Sequence, residues 1–455
     1  MNIEGSKGPR WSTRGTVRGS RACAVVATLL SLVLAVPAHA QEQTITLWHS
    51  MGGRLGAALT TLVDRFNAQQ KGKIKVEAIF QGPYNDALSK LKASIQTKQL
   101  PDIVQVNEIG SHLVYDLKIT VPYGDLAKKY GYGTNDLLKG IADYYTIDNK
   151  LLSMPFNASA PMLYYNRTAF KEAGLDPDRP PTTLQEVRAA AEKLVVKSGN
   201  RTTRYGYVSA VDGWLLEQFY GRANLEYCNN GNGRNGLATA VQWDQPAVRN
   251  IVRWWGQMMR DGVGLNAGRS NDDAVAAFTS GRAAMLIFTS AQLRDIQKNS
   301  KFDVGVANYP SPEPGMNGQV LNGGASIWVI AGLPPAKEKA ATEFLAFLGS
   351  PEGQATWSTS TGYIPVNAKA VDLPEFKEAV KASPDFAKPA IQLSKVASTP
   401  ASRGCFMGVM PQARNKINEI VESVILGNAE ADAALVEGQK QFATVIEAYN
   451  KSIGR

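Results

Sequence analysis

Apolar residues recur with two different periods between positions 44 and 106, and these periods predict three strands separated by two helices. Strands are predicted over 44–48, 74–80 and 103–106, where short apolar or alternating runs end at turn residues. Strands that alternate with helices favour a parallel sheet, whose ligands bind beyond the carboxyl ends of the strands. The side chains that follow these predicted strand ends are His49, Ser50, Tyr84 and Glu108.

The same periods predict further elements along the chain. Thr183 and Glu186 form a capping box, which predicts a helix that continues to Leu194. The other predicted helices are 246–259, 272–281 and 337–348, and the other predicted strands are 205–209, 283–288 and 326–330. After position 366 the pattern is mostly helical. Segment 227–235 is polar and rich in Gly and Asn, so we expect a surface loop there.

Residues 151–166 have a distinctive pattern, in which two apolar runs flank a small polar insert with Pro155 and Pro161 beside it. Proline restricts its own φ and favours an extended predecessor, so this stretch predicts chain that leaves one packed body and enters another. Small residues there also leave room for a ligand. Two core strands joined by a tight turn are the alternative. Further crossings are predicted at the proline-rich segment 311–315 and at 363–366.

The first forty residues differ in kind from the rest of the chain. Basic residues precede an apolar run at 24–36, and Ala38, His39 and Ala40 complete a cleavage pattern. This order predicts a secretory signal peptide over 1–40, because the apolar run is too short to span a membrane comfortably. The remaining length favours two domains.

Composition and charge narrow the choice of partner. With 44% hydrophobic and 20% charged residues, the chain is typical of soluble globular proteins. Without residues 1–40, 44 Lys and Arg face 39 Asp and Glu, a net charge of +5. No basic run with interleaved aromatic residues occurs, so nucleic acid is not an expected partner. The mild positive charge suits a small anionic ligand, although a solvated surface explains most of it.

Cysteine and histidine are scarce beyond position 40. Cys228 and Cys405 could pair in an oxidising compartment, but the sequence does not show whether they are close. The histidines are His49 and His112. With so few such ligands, neither a metal site nor a cofactor is expected.

The short motifs each have an ordinary explanation beside the functional one. Gly231, Gly233 and Gly236 match a dinucleotide fingerprint, but the residues before them are polar and do not predict a buried strand. Glu108 has no carboxylate partner at a recognisable spacing, so an acceptor of ligand hydroxyls fits it better than an acid catalyst. Arg414 follows a proline near the start of a predicted helix and offers a planar fork to a phosphate. A salt-bridged arginine is the local alternative.

Taken together, these segments resemble a known family. Over nearly all its length beyond position 40 the chain resembles the periplasmic glycerol-3-phosphate-binding proteins of ATP-binding-cassette importers, in the maltose-binding-like group of solute-binding proteins. The matching stretches are LWHSMGG from Leu47, YN at Tyr84, QVNE ending at Glu108, SMPFNAS to LYYN within 153–166, AGLDPDRPPTT from Ala173, FTSGRAAM from Phe278, GGASIWV from Gly323, TGYIPV from Thr361 and MPQAR ending at Arg414. Several motifs in one order are far more specific than any one of them.

The resemblance implies an α/β fold of the type II periplasmic binding proteins, with two lobes joined by three crossings that close on a ligand. The first lobe would comprise 41–155 with 310–362, and the second 156–309 with 363–455. By analogy, the residues that would hold a phosphate are Ser159, Thr289 or Ser290, Gly324, Tyr363 and Arg414. Those that would hold the glycerol part are Tyr84, Glu108 and Trp214.

One position departs from the family pattern. The family carries two tryptophans in a G-W-x-G-W run, and here the first is replaced within Ala210, Val211 and Asp212. Val211 is smaller and cannot stack on a ligand, so the pocket should be roomier on the glycerol side. A glycerophosphodiester such as glycerophosphocholine therefore becomes a candidate ligand beside the monoester.

We thus expect a monomeric, non-enzymatic periplasmic receptor that passes its ligand to an ATP-binding-cassette permease of the inner membrane. A receptor for a sugar or oligosaccharide is the alternative, and it would predict a weak effect of Arg414→Ala. A secreted hydrolase would need a nucleophile or an acid and base pair, which the sequence does not show.

Overall fold

A computed structural model describes residues 11–12, 42–394 and 399–454 of the chain. The predicted signal peptide, residues 1–40, lies outside the described residues except for 11–12. The unit described below is Gln41–Arg455. Within the described residues, no helix combines the length and the apolar character that crossing a membrane requires.

The strands of the described residues form two main sheets and two short hairpins. Their bounds are β1 Gln43–His49, β2 Ile74–Phe80, β3 Ile103–Asn107, β4 Thr120–Val121, β5 Thr146–Ile147, β6 Lys150–Leu151, β7 Met154–Ser159, β8 Pro161–Asn166, β9 Val196–Ser198, β10 Arg201–Arg204, β11 Tyr207–Ser209, β12 Gly264–Asn266, β13 Met285–Thr289, β14 Val304–Asn308 and β15 Gly323–Ile330.

Helices connect and cover these strands. Their bounds are α1 Gly53–Gln69, α2 Tyr84–Thr97, α3 Ser111–Leu117, α4 Tyr123–Tyr130, α5 Lys139–Ala142, α6 Arg167–Glu172, α7 Leu184–Leu194, α8 Gly213–Arg222, α9 Asn229–Gly233, α10 Pro246–Arg260, α11 Asn271–Thr279, α12 Leu293–Asn299, α13 Pro335–Leu348, α14 Pro351–Thr361, α15 Pro374–Ala382, α16 Lys388–Ser394, α17 Pro400–Arg403, α18 Met410–Ile425 and α19 Ala431–Ser452. Short 3₁₀ turns cover Glu108–Gly110, Asp143–Tyr145, Ser290–Gln292, Ala368–Asp372 and Pro384–Ala387.

The first sheet has the order β2-β1-β3-β15-β4, and β7 also pairs with β15. Strands β1, β2 and β3 are parallel, which confirms the β-α-β-α-β prediction for this part of the chain. Strand β15 comes from far along the chain and runs antiparallel to β3, β4 and β7. It thereby places Gly323 and Gly324 beside Ser159 and Ala158.

The second sheet has the order β12-β11-β13-β8-β14. Strand β11 runs parallel to β12 and β13, whereas β8 runs antiparallel to β13 and β14. Helix α8 leaves the carboxyl end of β11, and α18 packs against α8. The strand-end rule therefore applies to this sheet too, and it brings the start of α8 towards a ligand.

Among the described residues, two segments connect strands of the two sheets, and the predicted crossing at 363–366, called here the third linking segment, follows α14. Ala160 alone separates β7 of the first sheet from β8 of the second. Residues 309–322 lead from β14 of the second sheet back to β15 of the first. In the third segment Ile364 donates its N–H to the carbonyl of Ala158 at 2.7 Å, so this stretch lies along β7. The lobe boundaries given above remain a prediction.

The prediction of a surface loop at 227–235 is wrong for three of its residues. Tyr227, Cys228 and Asn232 are buried, and Cys228 forms a disulfide with Cys405. The side-chain oxygen of Asn232 accepts hydrogen bonds from the N–H groups of Tyr227 and Cys228 at 2.8 and 3.0 Å. The polar composition led to a wrong prediction, because the buried asparagine satisfies the backbone N–H groups beside the disulfide.

The capping box at α7 is confirmed in part. Thr183 Oγ1 accepts a hydrogen bond from the N–H of Glu186 at 3.2 Å. The carboxylate of Glu186 turns to Thr182 instead of Thr183 and accepts from its N–H and hydroxyl, each at 2.7 Å. The hydrogen bonds that the Glu186 carboxylate accepts therefore come from the residue before the one that the motif predicts.

Candidate functional site

A buried charged cluster joins Arg414 to two carboxylates. Nε and Nη2 of Arg414 donate to the two carboxylate oxygens of Glu217, each at 2.7 Å. Nη2 also donates to Oε1 of Glu108 at 2.9 Å. The side chains of Arg414, Glu108 and Glu217 are 14%, 8% and 7% exposed. The predicted phosphate ligand Arg414 and the predicted hydroxyl acceptor Glu108 are thus direct neighbours.

Glycine allows the helices that carry this cluster to approach closely. A Cβ on Gly213, the first residue of α8, would lie 3.0 Å from both Cγ and the carbonyl oxygen of Arg414. The N–H of Gly213 donates to Oδ1 of Asn418 in α18 at 2.6 Å, and Asp212 caps the helix through the N–H of Trp214. The start of α8 is therefore held against α18, with Trp214 and Glu217 one turn apart.

Burial and pairing act in opposite directions on these groups. Burial disfavours the charged guanidinium, but the attraction of Glu217 and then Glu108 outweighs it and raises the pKa of Arg414 well above its ordinary value. Burial raises the pKa of Glu217, and Arg414 opposes that shift without cancelling it. Arg414 therefore carries a fixed positive charge that its own neighbours already compensate.

A neutral hydrogen-bond network lies beside the charged cluster. Asn157 Nδ2 donates to the hydroxyl of Tyr84 at 3.0 Å, and Gln105 Nε2 donates to Oδ1 of Asn157 at 2.8 Å. The hydroxyl of Tyr363 interacts with both Tyr84 and Asn157. Gln105 is anchored in turn by the N–H of Ser50 at 2.8 Å. The network connects the chain after β1 and β2 with β3, β7 and the third linking segment.

The tyrosines of this network are uncharged. Burial, reinforced by Tyr363, raises the pKa of Tyr84 well above its ordinary value, and burial likewise raises the pKa of Tyr363. The ring of Tyr363 stacks on Trp357, with 5.5 Å between centroids and 12° between planes. Two neutral phenol groups can therefore donate or accept hydrogen bonds at fixed positions.

Trp214 and Ser159 both lie close to the position that a Cβ of Gly323 would occupy. A Cβ on Gly323 would be 2.7 Å from Cζ2 of Trp214 and 3.0 Å from Oγ of Ser159. At the next position, Gly324 has φ +106°, and a Cβ there would be 1.8 Å from the carbonyl oxygen of Asn157. Both glycines are therefore required for the close approach of β15 to its neighbours, and Gly323 keeps Trp214 next to Ser159.

Thr289 and Ser290 lie at the first linking segment, where their polar groups support the backbone. Ser290 is fully buried, and its Oγ and N–H bond to the N–H and carbonyl of Ala160 at 3.2 and 2.8 Å. Thr289 Oγ1 accepts from the N–H of Ala291 at 3.2 Å, while the Thr289 carbonyl accepts from Tyr164. A phosphate contact from either hydroxyl stays a prediction. Ser290 also holds Ala160, the residue between β7 and β8, in place.

Val211, the predicted selectivity position, is buried at 3% exposure just before the cap of α8. Its N–H donates to the carbonyl of Gly268 at 2.7 Å. The selectivity role stays a prediction.

The structure thus brings Tyr84, Glu108, Tyr363 and Arg414 together and places Trp214, Ser159 and Gly324 around β15. The residues that sequence reasoning missed are Glu217, Asn157, Gln105 and Gly323. The signal for Glu217 was its place one turn after Trp214, because positions i and i+3 share a helix face. Asn157 lay inside a matching motif but was not assigned a role.

A cavity of about 680 Å³ lies elsewhere, between the turn at 176–181 and α7. Its lining contains none of the predicted site residues, and the carboxylate of Glu186 within it is bound by Thr182. We therefore place the candidate site at the charged cluster, where polar groups converge, and not at this cavity.

The profile of the bacterial extracellular solute-binding proteins matches residues 61–387. The chain belongs to this family. This solute-binding protein is also similar over most of its length to two named relatives. It is 32% identical over 435 residues to the sn-glycerol-3-phosphate-binding periplasmic protein UgpB of Escherichia coli K12, covering 94% of this chain and 98% of the relative. It is 31% identical over 446 residues to UgpB of Pectobacterium atrosepticum, covering 96% and 99%.

Solved structures confirm the fold class of this solute-binding protein. UgpB from Mycobacterium tuberculosis in complex with glycerophosphocholine matches with a TM-score of 0.76 and 23% identity, over 90% of this chain and 99% of that one. The sugar-binding protein MalE from Xanthomonas citri matches with a TM-score of 0.72 and 18% identity, over 91% and 100%. The predicted α/β fold of the type II periplasmic binding proteins and the resemblance on which it rested are therefore both confirmed.

Proposed function

We propose that this solute-binding protein captures sn-glycerol-3-phosphate, a glycerophosphodiester, or both, and delivers the ligand to an ATP-binding-cassette permease. The observation that carries this proposal is the contact between Arg414, a buried hydrogen-bond donor for anions, and Glu108, a buried hydrogen-bond acceptor for hydroxyl groups. The relatives that are 31–32% identical over nearly the whole chain are named for glycerol-3-phosphate. A compact ligand that carries a phosphate beside vicinal hydroxyls matches such a neighbouring pair.

The contacts suggest how binding proceeds. Both donors of Arg414 Nη2 are engaged, one by Glu217 and one by Glu108, whereas Nη1 makes no hydrogen bond with any residue that the structure describes. A phosphate that contacts Nη1 reaches Nη2 by replacing Glu108. The released carboxylate of Glu108 then accepts hydrogen bonds from the glycerol hydroxyls, so the ligand exchanges one buried ion pair for two sets of contacts.

The other contacts would come from around the cluster. Tyr84 and Tyr363 supply neutral hydroxyls, and Ser159 supplies one opposite Trp214. The indole of Trp214 offers an apolar surface to the carbon side of the ligand. Thr289 or Ser290 and Gly324 complete the predicted phosphate ligands.

An ion pair outside the cluster connects the surroundings of the two sheets. Nε and Nη2 of Arg54 in α1 donate to the carboxylate oxygens of Asp295 in α12 at 2.6 and 2.8 Å. Arg54 is also bonded to the carbonyl of Ser360, before the third linking segment. This pair is well placed to favour a closed arrangement of lobes, which would exclude water from the bound ligand.

Membership of the solute-binding family supports export of the protein and delivery of its ligand to a permease. We propose that residues 1–40 direct export to the periplasm and are removed, and that the remaining chain works there as a monomer. Catalysis forms no part of this function. Incubation with glycerophosphocholine and an assay for free choline tests that statement, and turnover would contradict it.

The preference for monoester or diester depends on the space near Val211. A Val211→Trp variant should shift the affinity ratio towards glycerol-3-phosphate, because the added ring fills space that a headgroup would use. The site is already buried, so the thermal stability of the variant must be checked for overpacking. An unchanged ratio in a folded variant would contradict this explanation of the departure at Val211.

Calorimetric titration with glycerol-3-phosphate, glycerophosphocholine and maltose tests the proposed function directly. We expect at least one phosphate ester to bind and maltose not to bind. Binding of maltose alone would identify a sugar receptor and contradict the proposal.

A further inference from the structure

Glu217 makes more contacts with Arg414 than any predicted ligand residue does. It lies one helical turn after Trp214 in α8, and each of its carboxylate oxygens accepts a hydrogen bond from Arg414 at 2.7 Å. This side-on pairing engages the Nε edge of the guanidinium and fixes the plane of the group. Because a guanidinium is rigid, fixing that edge also fixes the direction of the opposite one.

The opposite edge contains Nη1, which has no partner among the described residues, and the second donor of Nη2, which Glu108 accepts. An anion that enters the site therefore meets a guanidinium whose orientation is already set. Preorganisation of this kind lowers the ordering cost of binding, since the side chain does not have to be immobilised by the ligand.

Glu217 also changes the charge that the ligand meets. One positive charge on Arg414 faces negative charges on Glu108 and Glu217, and Asp212 lies close enough to attract Arg414 as well. Two other arginines that act on tyrosines near the cluster are engaged elsewhere. Arg54 is paired with Asp295, and Arg234 donates to the carbonyls of Tyr144, Arg403 and Gly404. With its carboxylates ionised, the cluster carries an excess of negative charge.

A ligand dianion is therefore disfavoured beside this cluster. A phosphate monoester carries close to two negative charges near neutral pH, whereas a phosphodiester carries one, and a headgroup with an ammonium ion neutralises that one. Each additional negative charge is repelled at short range in a site of low dielectric constant.

A purely structural role for the pair is the competing explanation, in which the pair joins α8 to α18. Those helices are already joined by the bond from Gly213 to Asn418, and they pack against each other beyond it. Moreover, a structural ion pair would not depend on the charge of the ligand. The two explanations therefore differ in a measurable quantity, the ratio of affinities for ligands that differ in charge.

We propose that Glu217 is a positioning and specificity-determining residue: it holds Arg414 side-on for a ligand phosphate and, together with Glu108, selects singly charged phosphodiesters over dianionic monoesters. The proposal rests on the proposed function, because it assumes that a glycerol phosphate compound occupies the site.

A series of three ligands separates charge from size: glycerol-3-phosphate, its methyl diester and glycerophosphocholine. Calorimetry at one pH and one ionic strength gives the affinity ratio of methyl diester to monoester, two ligands that differ by one methyl group and one charge. We expect the wild-type protein to favour the methyl diester by about tenfold or more, and Glu217→Gln to reduce that ratio to within about threefold, because one negative charge is removed.

Two further variants complete the test. Glu217→Asp keeps the charge but shortens the side chain, so it should weaken both ligands while keeping the wild-type ratio. Glu422→Gln removes an exposed carboxylate of α18 that pairs with Arg269, and it should leave both affinities unchanged. If Glu217→Gln does not fold, equal affinities of the wild-type protein for the two ligands, or unchanged affinities in Glu217→Asp, would still overturn the proposal.

A ratio that is unchanged in Glu217→Gln, or equal affinities for the two ligands in the wild-type protein, would overturn the proposal while leaving the proposed function intact. Failure of the wild-type protein to bind any of the three ligands would overturn the proposed function and this inference with it.

Discussion

The two halves of the candidate site stabilise buried polar groups in different ways. The first half is the charged cluster around Arg414, and the second is the neutral network around Asn157. Around Arg414, three charged groups are buried together, and each is tolerated because the others compensate it. Around Asn157, the side chains of Tyr84, Tyr363 and Gln105 are neutral and satisfy one another by hydrogen bonds. Loss of Arg414 leaves uncompensated charges in the first half, whereas loss of one member leaves an unsatisfied dipole in the second. The first half should therefore be much more sensitive to substitution.

Arg414→Ala should have the largest effect. It removes the donor for a ligand phosphate and leaves Glu108 and Glu217 buried beside each other without a cation. We expect affinity for the phosphate ester to fall by about 100-fold or more, and the free energy of unfolding to fall by about 3–5 kcal/mol. Calorimetry and denaturant unfolding measure the two effects.

Arg269→Ala is the matched control for that variant. Its partner Glu422 lies on the same helix as Arg414, but the side chains of Arg269 and Glu422 are 44% and 35% exposed. We expect a change of about 0.5 kcal/mol or less in stability and none in affinity. Equal effects of the two substitutions would contradict the distinction between buried and exposed pairs.

Gly324→Ala tests the backbone that supports the neutral half. The new Cβ would lie 1.8 Å from the carbonyl of Asn157 at φ +106°, so β15 and β7 must separate. We expect unfolding to become easier by about 3 kcal/mol or more. Gly332→Ala is the control, because that glycine has φ +83° but nothing within 4 Å, and its cost should be about 1 kcal/mol. Similar losses at both glycines would show that φ alone matters.

Tyr84→Phe tests the neutral half itself. It removes the hydroxyl that accepts from Asn157 and, in the proposed function, contacts the ligand. We expect affinity to fall by about threefold to tenfold with little change in stability, as is typical for one neutral hydrogen bond. Titration of this variant beside Arg414→Ala compares the halves directly. A loss as large as that of Arg414→Ala would contradict the proposed difference between them.

Arg54→Ala should have a smaller, salt-dependent effect. The Arg54 and Asp295 side chains are 32% and 27% exposed, so their attraction is partly screened by solvent. We expect a cost of about 0.2–1 kcal/mol in ligand affinity at low salt, which shrinks as ionic strength rises. An effect that is large and independent of salt would show that this pair behaves like the buried cluster.

At neutral pH the smallest expected effect is that of His49, because its contribution to stability changes only as the pH falls below its ordinary pKa. Burial lowers the pKa of His49 from 6.5 to about 4, and its Nδ1 accepts a hydrogen bond from the N–H of Met51. The folded protein thus binds fewer protons than the unfolded chain between these pH values. His49 therefore lowers stability as the pH falls from 6.5 towards 4. Thermal unfolding across that range should depend less on pH in His49→Gln. An unchanged pH dependence would contradict this assignment.

The sequence predicted the site residues that follow strand ends better than the others, for a physical reason. Tyr84 and Glu108 follow strand ends in a local β-α-β pattern, and the geometry of a parallel sheet brings such positions together. Glu217 follows no such rule. It reads as one polar residue in the buried helix α8, and its partner Arg414 lies 197 positions away. A pairing between residues so far apart in the sequence depends on how the helices pack.

The predicted crossing at 151–166 illustrates what a local pattern can and cannot show. Its prolines and small residues indicated that the chain passes from one packed body to another, and Ala160 separates strands of different sheets. The role of Ser290, which ties Ala160 in place from 130 positions away, could not be predicted locally. The same holds for Asn232, whose burial depends on the disulfide between Cys228 and Cys405.

A crystal structure of the protein with glycerophosphocholine is the sharpest test of the proposed site. We expect phosphate oxygens within about 3 Å of Nη1 and Nη2 of Arg414. Glu217 should still be bound to Nε, and Glu108 should have moved from Nη2 to the glycerol hydroxyls. A ligand whose phosphate lies away from Arg414, with the pair of Arg414 and Glu108 intact, would contradict it.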